Sequence, residues 1–306
     1  MKPALFAATI FTFNLGIYTQ VSAAPVKTPE KKTITNTKTP AKKPVTTTKT
    51  PAKKPVTTTK TPNDFQQWCN PKTKLPQETR YTVEVLLKIA GTKNCTQANQ
   101  KLIQLTTLNL WRSRISDIKP LSSLTNLTAL NLWENQISDI KPLANLTNLT
   151  SLDLGGNQIS DIQPLSKLTK LTTLNLWENR ISDIQPLSNL TNLTFISLWK
   201  NQISDIKPLS NLNNLTSLDL KENQISDIDS LSNLTQLTTV YLGGNQISNI
   251  QSLSNMTKLN VVYLEKNQIQ NIESLSALEN LRTLKIENNP LISKQCPLRP
   301  RSICKF

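Results

Sequence analysis

LTTLNLWENRISDIQPLSNLTN, residues 171–192, places leucine or isoleucine at positions 171, 174, 176, 181, 184, 187 and 190. Leu174 and Leu176 lie two apart, so they share one face of a short strand and leave Thr173, Asn175 and Trp177 on the other. Beyond Asn179, the run Ile-Ser-Asp-Ile is followed by Pro186, which removes a backbone donor and stops a continuous helix. The return leg therefore reads as extended or 3₁₀. The same pattern recurs every 22 residues from Leu105 through Leu127, Leu149, Leu171, Leu193, Leu215, Leu237 and Leu259 to Leu281, nine registers without an insertion. A single coil cannot bury its own leucines, whereas stacked coils join them into one core, so a fixed period of this length means a solenoid.

The spacing L-x-x-L-x-L-x-x-N-x-I is the leucine-rich-repeat pattern. It implies an α/β-type leucine-rich-repeat solenoid with a curved parallel β-sheet on the concave face and an irregular or 3₁₀ convex side, and the cysteines outside the array add disulfide-bonded caps at both ends. Nine strands at about 4.8 Å make a sheet about 40 Å from first to last. The row Asn135, Asn157, Asn179, Asn201, Asn223, Asn245, Asn267 and Asn289 follows the strands, where a side-chain amide can bond backbone groups of neighbouring coils. Ser113 replaces Asn in the first unit, so that coil is expected to be distorted. A second row, Asp117, Asp139, Asp161, Asp183, Asp205 and Asp227, admits either calcium bridging or Asx-type bonds to local backbone.

Five segments follow along the chain. Residues 1–23 read as a secretory signal peptide: Lys2, an apolar stretch to Tyr18 and small residues at Val21 and Ala23. The stretch is shorter than the roughly 20 residues that span a bilayer, which sets a permanent anchor as the lesser reading. Residues 24–63 form a Lys/Thr/Pro-rich linker containing KTPAKKPVTTT twice, at 38–48 and 49–59, a composition that builds no core. Residues 64–104 read as a helical cap, with Phe65 and Trp68 covering the open core, Thr82 capping a helix that ends at Gly91, and a second short helix after Thr96. Residues 105–289 are the array and 290–306 the closing cap.

The chain carries formal charge +15, of which residues 1–63 hold +10, so the basic balance belongs mostly to the linker. With no aromatic residue in the linker for base stacking, and an export signal before it, nucleic acid is not the expected partner. The linker serves either as a solvated spacer or as a contact to anionic envelope polymers. Cys69 and Cys95 fall in one cap and Cys296 and Cys304 in the other. The ends lie about 40 Å apart and a disulfide needs Cα atoms within about 7 Å, which pairs Cys69 with Cys95 and Cys296 with Cys304. An even count in an exported chain agrees. Zinc would be the rival use, but the chain has no His and neither cap supplies four thiolates. No phosphate loop, nucleophile elbow or His-based constellation is present, so the reading is not an enzyme and requires no cofactor or metal.

The outward row one place after the second strand leucine runs Trp111, Trp133, Gly155, Trp177, Trp199, Lys221, Gly243, Glu265, Glu287, and holds four of the five Trp. Repeated exposed Trp either shields the rim of the sheet or marks an interface, where Trp is the most enriched hot-spot residue. Gly155 is expected to open a notch about 10 Å wide between Trp133 and Trp177. The candidate partner-contacting residues are Trp111, Trp133, Asp153, Gly155, Asn175, Trp177, Phe195, Trp199, Tyr241 and Tyr263.

NLTNLTSLDLGGNQISDIQPLSKL, residues 145–168, resembles the 22-residue repeats of bacterial internalins and of phosphatase-regulatory leucine-rich-repeat proteins. The ends, TVEVLLKIAGTKNC and CPLRPRSICKF, look like those of exported cyanobacterial leucine-rich-repeat proteins. The resemblance implies the fold and carries over no partner; the Trp row and the expected signal peptide together point to a periplasmic or extracellular scaffold that binds a protein partner through its concave face. The alternatives are an envelope-polysaccharide binder, since Trp faces stack on sugar rings, and a phosphatase-regulatory protein. The mature form is not expected to span a membrane.

Overall fold

A computed structural model of the chain describes residues 64–70 and 74–306, all within one compact unit, Thr58–Phe306. The expected signal peptide and Lys/Thr/Pro linker lie outside the described residues. Ten parallel strands form one sheet in chain order: β1 (Thr107–Asn109), β2 (Ala129–Asn131), β3 (Ser151–Asp153), β4 (Thr173–Asn175), β5 (Phe195–Ser197), β6 (Ser217–Asp219), β7 (Thr239–Tyr241), β8 (Val261–Tyr263), β9 (Thr283–Lys285) and β10 (Cys304–Lys305). Residues 22 apart stand opposite one another, as Leu130 opposite Leu152 and Leu152 opposite Leu174. From Leu108 to Ile286 the consensus leucines and isoleucines are buried in every coil, and only the two ends, Leu105 and Leu291, are partly exposed. Between strands, short 3₁₀ turns such as Lys141–Leu143 and Gln185–Leu187 carry Pro in their first turn, where its missing N–H costs no helix bond. This is the leucine-rich-repeat solenoid that the period implies.

Each Asn of the first row fastens its coil to the coil before it. Asn179 Nδ2 donates to Leu154 O, 25 residues back, and to Leu176 O within its own coil, both at 3.0 Å. Its Oδ1 accepts from Ile159 N at 3.0 Å. Asn135 through Asn289 repeat the arrangement. An Asn at 113 would have to reach Lys88 and Lys93, which belong to the helical cap rather than to a preceding coil, and this accounts for Ser113. The first coil keeps its register with β2, but its backbone has two left-handed residues, Arg112 (φ 50) and Arg114 (φ 56), where each later unit has one.

The Asp row makes local bonds. Oδ1 of Asp139, Asp161, Asp183 and Asp205 accepts the N–H two residues on, at 2.8–2.9 Å. Asn249 and Asn271 do the same in later units, so the position needs an acceptor rather than a charge. Asp117 also receives the N-terminal cap: Thr79 Oγ1 donates to its carboxylate at 2.5 Å and Thr82 Oγ1 to its carbonyl at 2.7 Å.

The N-terminal cap contains α1 (Phe65–Cys69), α2 (Gln77–Ala90) and α3 (Cys95–Leu102). Phe65 and Trp68 are buried in the core as expected. Thr82 is not the cap of α2: the helix begins after Pro76, and Thr82 lies inside it with its hydroxyl turned to Asp117. Gly91 ends α2 in the left-handed conformation at φ 64. Asn94 caps α3, accepting from Gln97 N at 3.0 Å. The disulfides join Cys69 to Cys95 and Cys296 to Cys304, with Cα separations of 5.5 and 5.7 Å. At the other end, Cys304–Lys305 adds a tenth strand against β9, closed by Ile286 N donating to Lys305 O at 2.9 Å.

Candidate functional site

The row of large side chains stands just past the strand ends, where backbone pairing continues, as in Glu134 N to Gly155 O at 2.9 Å. The expected notch over the third unit is absent. The Trp177 indole leans across that unit, and a Cβ on Gly155 would overlap its ring nitrogen, so Gly155 is the residue that permits the lean. Trp133 and Trp177 consequently meet edge-to-face, centroids 5.9 Å apart. Trp111 stacks on Trp133 at 5.2 Å and Trp177 on Trp199 at 5.6 Å. Four indoles from units one, two, four and five form one unbroken stack, with Gly155 buried beneath it.

Cations close both ends of the stack. The Arg112 guanidinium lies 4.9 Å from the Trp111 centroid and 5.8 Å from Trp133, and pairs with Glu134. At the far end Lys221 Nζ lies 5.5 Å from Trp199 and 5.0 Å from Tyr241. Such contacts hold about 0.5–1 kcal/mol each where solvent reaches them. Tyr241 meets Tyr263 edge-to-face at 4.8 Å, and Lys285 Nζ sits 4.2 Å from Tyr263. A track of rings and cations therefore crosses the face from β1 to β9, changing rows at Lys221. The position of Lys221 in the Trp row was readable from the repeat, but its place between two rings was not.

The middle row sets the backbone at the foot of each ring. Oδ1 of Asn109, Asn131 and Asp153 accepts the N–H of Trp111, Trp133 and Gly155 at 2.9–3.0 Å. Asn175 does so for Trp177 at 3.4 Å. Asp153, expected on the open display surface, is only 4% exposed. Burial raises its carboxyl to about 6, against the pull of its bonds from Gly155 N and Asn175 Nδ2. Asp219 is also raised to about 6 by burial, although Lys221 Nζ lies 3.5 Å from its carboxylate. Burial likewise raises the Tyr241 hydroxyl. Phe195 is half-buried at the start of β5 and has no ring contact with the other aromatics among the described residues.

Rings, amides and ion pairs supply a surface for contact. Among the described residues no group of three or more Cys, Asp or Glu is set to hold a metal ion, and no helix is long and apolar enough to cross a membrane.

The profile of the family described as "Leucine Rich repeats (2 copies)" matches residues 103–145, 147–189, 169–211, 191–233, 213–255 and 235–277. The chain belongs to the leucine-rich-repeat family, whose members are binding scaffolds typical of protein–protein interaction. Within it the structure is similar to internalin C2 from Listeria monocytogenes, with 34% identity and TM-score 0.63 over 66% of this chain and 91% of that one. A leucine-rich-repeat protein from Leptospira interrogans is 26% identical with TM-score 0.63, over 69% of this chain and 57% of that one. The ectodomain of the Arabidopsis thaliana receptor kinase GASSHO1/SCHENGEN3, solved with CASPARIAN STRIP INTEGRITY FACTOR 2, is 27% identical with TM-score 0.51, over 57% of this chain and 25% of that one. No curated protein matches the sequence.

Proposed function

We propose that the chain is an exported, non-enzymatic scaffold that receives a protein partner on its Trp-rich strand face. The observation that carries this reading is the unbroken indole stack, a large aromatic surface raised on a rigid array. Trp is the residue most enriched where truncation costs binding energy. Two disulfides fit an oxidising compartment and speak against a phosphatase-regulatory role in a reducing one. The similarity to an internalin, and to a receptor ectodomain solved in complex with another chain, agrees with a binding role. The polysaccharide alternative needs open ring faces, but Arg112 and Lys221 cap the two ends of the stack and its interior rings meet one another.

A photo-crosslinker at Thr173 or Thr239, in the strand-start row, would capture the partner in the native cells. Against that partner, Trp133→Ala and Trp177→Ala should each cost about 2 kcal/mol or more in affinity. Unchanged affinity in both variants would remove the strand face from consideration.

A further inference from the structure

Resting on that reading of the strand face, we propose that the partner presents a linear proline-rich peptide in the polyproline II conformation, laid along the solenoid axis across the strands. Three features of the track converge on this ligand.

The first is its width. From Trp111 to Trp177 the aromatic path is one side chain wide, bordered by the small strand-start residues Ala129, Ser151 and Thr173, and only at Trp199 does a second ring, Phe195, stand in that bordering row. A folded domain docks through a broad patch, whereas a single file of rings matches a single chain.

The second is its unused donors. None of the four indole N–H groups donates a hydrogen bond among the described residues, and that of Trp133 is fully buried. Those of Trp111, Trp177 and Trp199 form a row of donors without acceptors. A polyproline II chain makes no internal hydrogen bonds, so its carbonyls are free to receive them. The ring faces are already occupied by neighbouring rings and cations, which leaves ring edges rather than flat faces for a ligand and suits carbonyls and pyrrolidine rings better than a sugar.

The third is its period. Polyproline II repeats every three residues, about 9.3 Å, and two strand spacings are about 9.6 Å. A side chain at every third position therefore returns to the same place on alternate coils. A β-extended peptide repeats every two residues, about 6.7 Å, and falls out of step with the coils. The track from β1 to β9 is about 38 Å, the length of roughly twelve polyproline II residues. Because that conformation is largely formed before binding, little ordering cost opposes the contact.

The test titrates the full chain, labelled with ¹⁵N at Trp, with the twelve-residue peptide (Pro-Pro-Leu)₄ and follows the indole N–H resonances. The controls are a peptide of the same composition with its four leucines adjacent, and (Thr-Val)₆. Saturable shifts of the Trp177 and Trp199 indole signals are expected, with at least tenfold weaker binding of both controls. Trp177→Phe, which keeps a ring over Gly155 and removes the N–H, should weaken binding about tenfold, and Trp199→Phe serves if that variant unfolds. Absence of saturable shifts, equal binding of the rearranged peptide, or shifts confined to residues off the strand face would overturn the proposal. If the peptides fail while a crosslinked folded partner still depends on Trp133 and Trp177, the linear ligand is excluded and the protein-binding reading stands. If that partner ignores both Trp residues, the two readings fall together.

Discussion

Over β1–β5 the outer row of the strand face stacks indole on indole, whereas over β6–β9 the same row holds Lys221, Gly243, Glu265 and Glu287 and the aromatics move one row over, to Tyr241 and Tyr263. Underneath, nothing changes: Leu130, Leu174, Leu218 and Val262 occupy the same inward place and are all buried. Each half even contains the same device, a glycine over which the next unit's side chain leans, Trp177 on Gly155 and Glu265 on Gly243. Side chains one position apart on a strand therefore answer to separate constraints. Packing fixes the inward residue, while the outward one varies along the array without disturbing register.

The largest losses are expected in the shared core. Leu174→Ala and Leu218→Ala, one in each half, should each lose about 2–5 kcal/mol in urea unfolding, because both leave a cavity in the same stack of leucines. A loss below about 1 kcal/mol in one half alone would mean that the two halves do not share a core.

A smaller effect separates the two buried carboxylates. The folded-state value near 6 for Asp153 lies above the ordinary 3.8, so folding favours its neutral form. Its penalty is absent below about pH 4, grows as pH rises towards 6 and is complete above that, up to about 3 kcal/mol for a shift of about two units. Asp153→Asn should therefore be more stable than the parent at pH 7–8 and equal to it near pH 4. Asp219→Asn should gain less, because it also gives up the attraction of Lys221. Urea midpoints from pH 4 to 8 measure both, and a flat difference curve for Asp153→Asn would refute a buried anion there.

The two glycines differ by less. Gly155→Ala must displace a rigid indole and should cost about 1–3 kcal/mol and weaken the near-UV signal of the Trp stack. Gly243→Ala meets only the flexible end of Glu265, which can swing outward, and should cost under about 1 kcal/mol. Equal losses would show that Trp177 is not held against Gly155.

Much of this fold is legible in residues 171–192. Leu174 and Leu176 state the strand, Asn179 the ladder, Pro186 the 3₁₀ return, and the separation of the caps gives the disulfides. What escaped was direction. The repeat places Gly155 between Trp133 and Trp177, but only the rotamer of Trp177 decides whether that space is open, and a spacing carries no rotamer. Thr82 looked like a helix cap because its use, bonding the Asp117 carbonyl 35 residues away, is tertiary. The tenth strand lies in CPLRPRSICKF, where neither period nor alternation marks two residues as paired with β9. Asp153 looked outward by alternation and is, but the ring from the next coil covers its neighbourhood.

The backward-reaching asparagines also bear on how such a chain changes length. Every amide from Asn135 to Asn289 closes the coil before it with the same three kinds of bond, and Ser113 sits where there is no earlier coil to close. Excising or inserting 22 residues between equivalent positions therefore rejoins each asparagine to a coil identical in what it offers. Shorter and longer arrays made in this way keep every asparagine bond, and each carries a new spacing of indoles along its outer row.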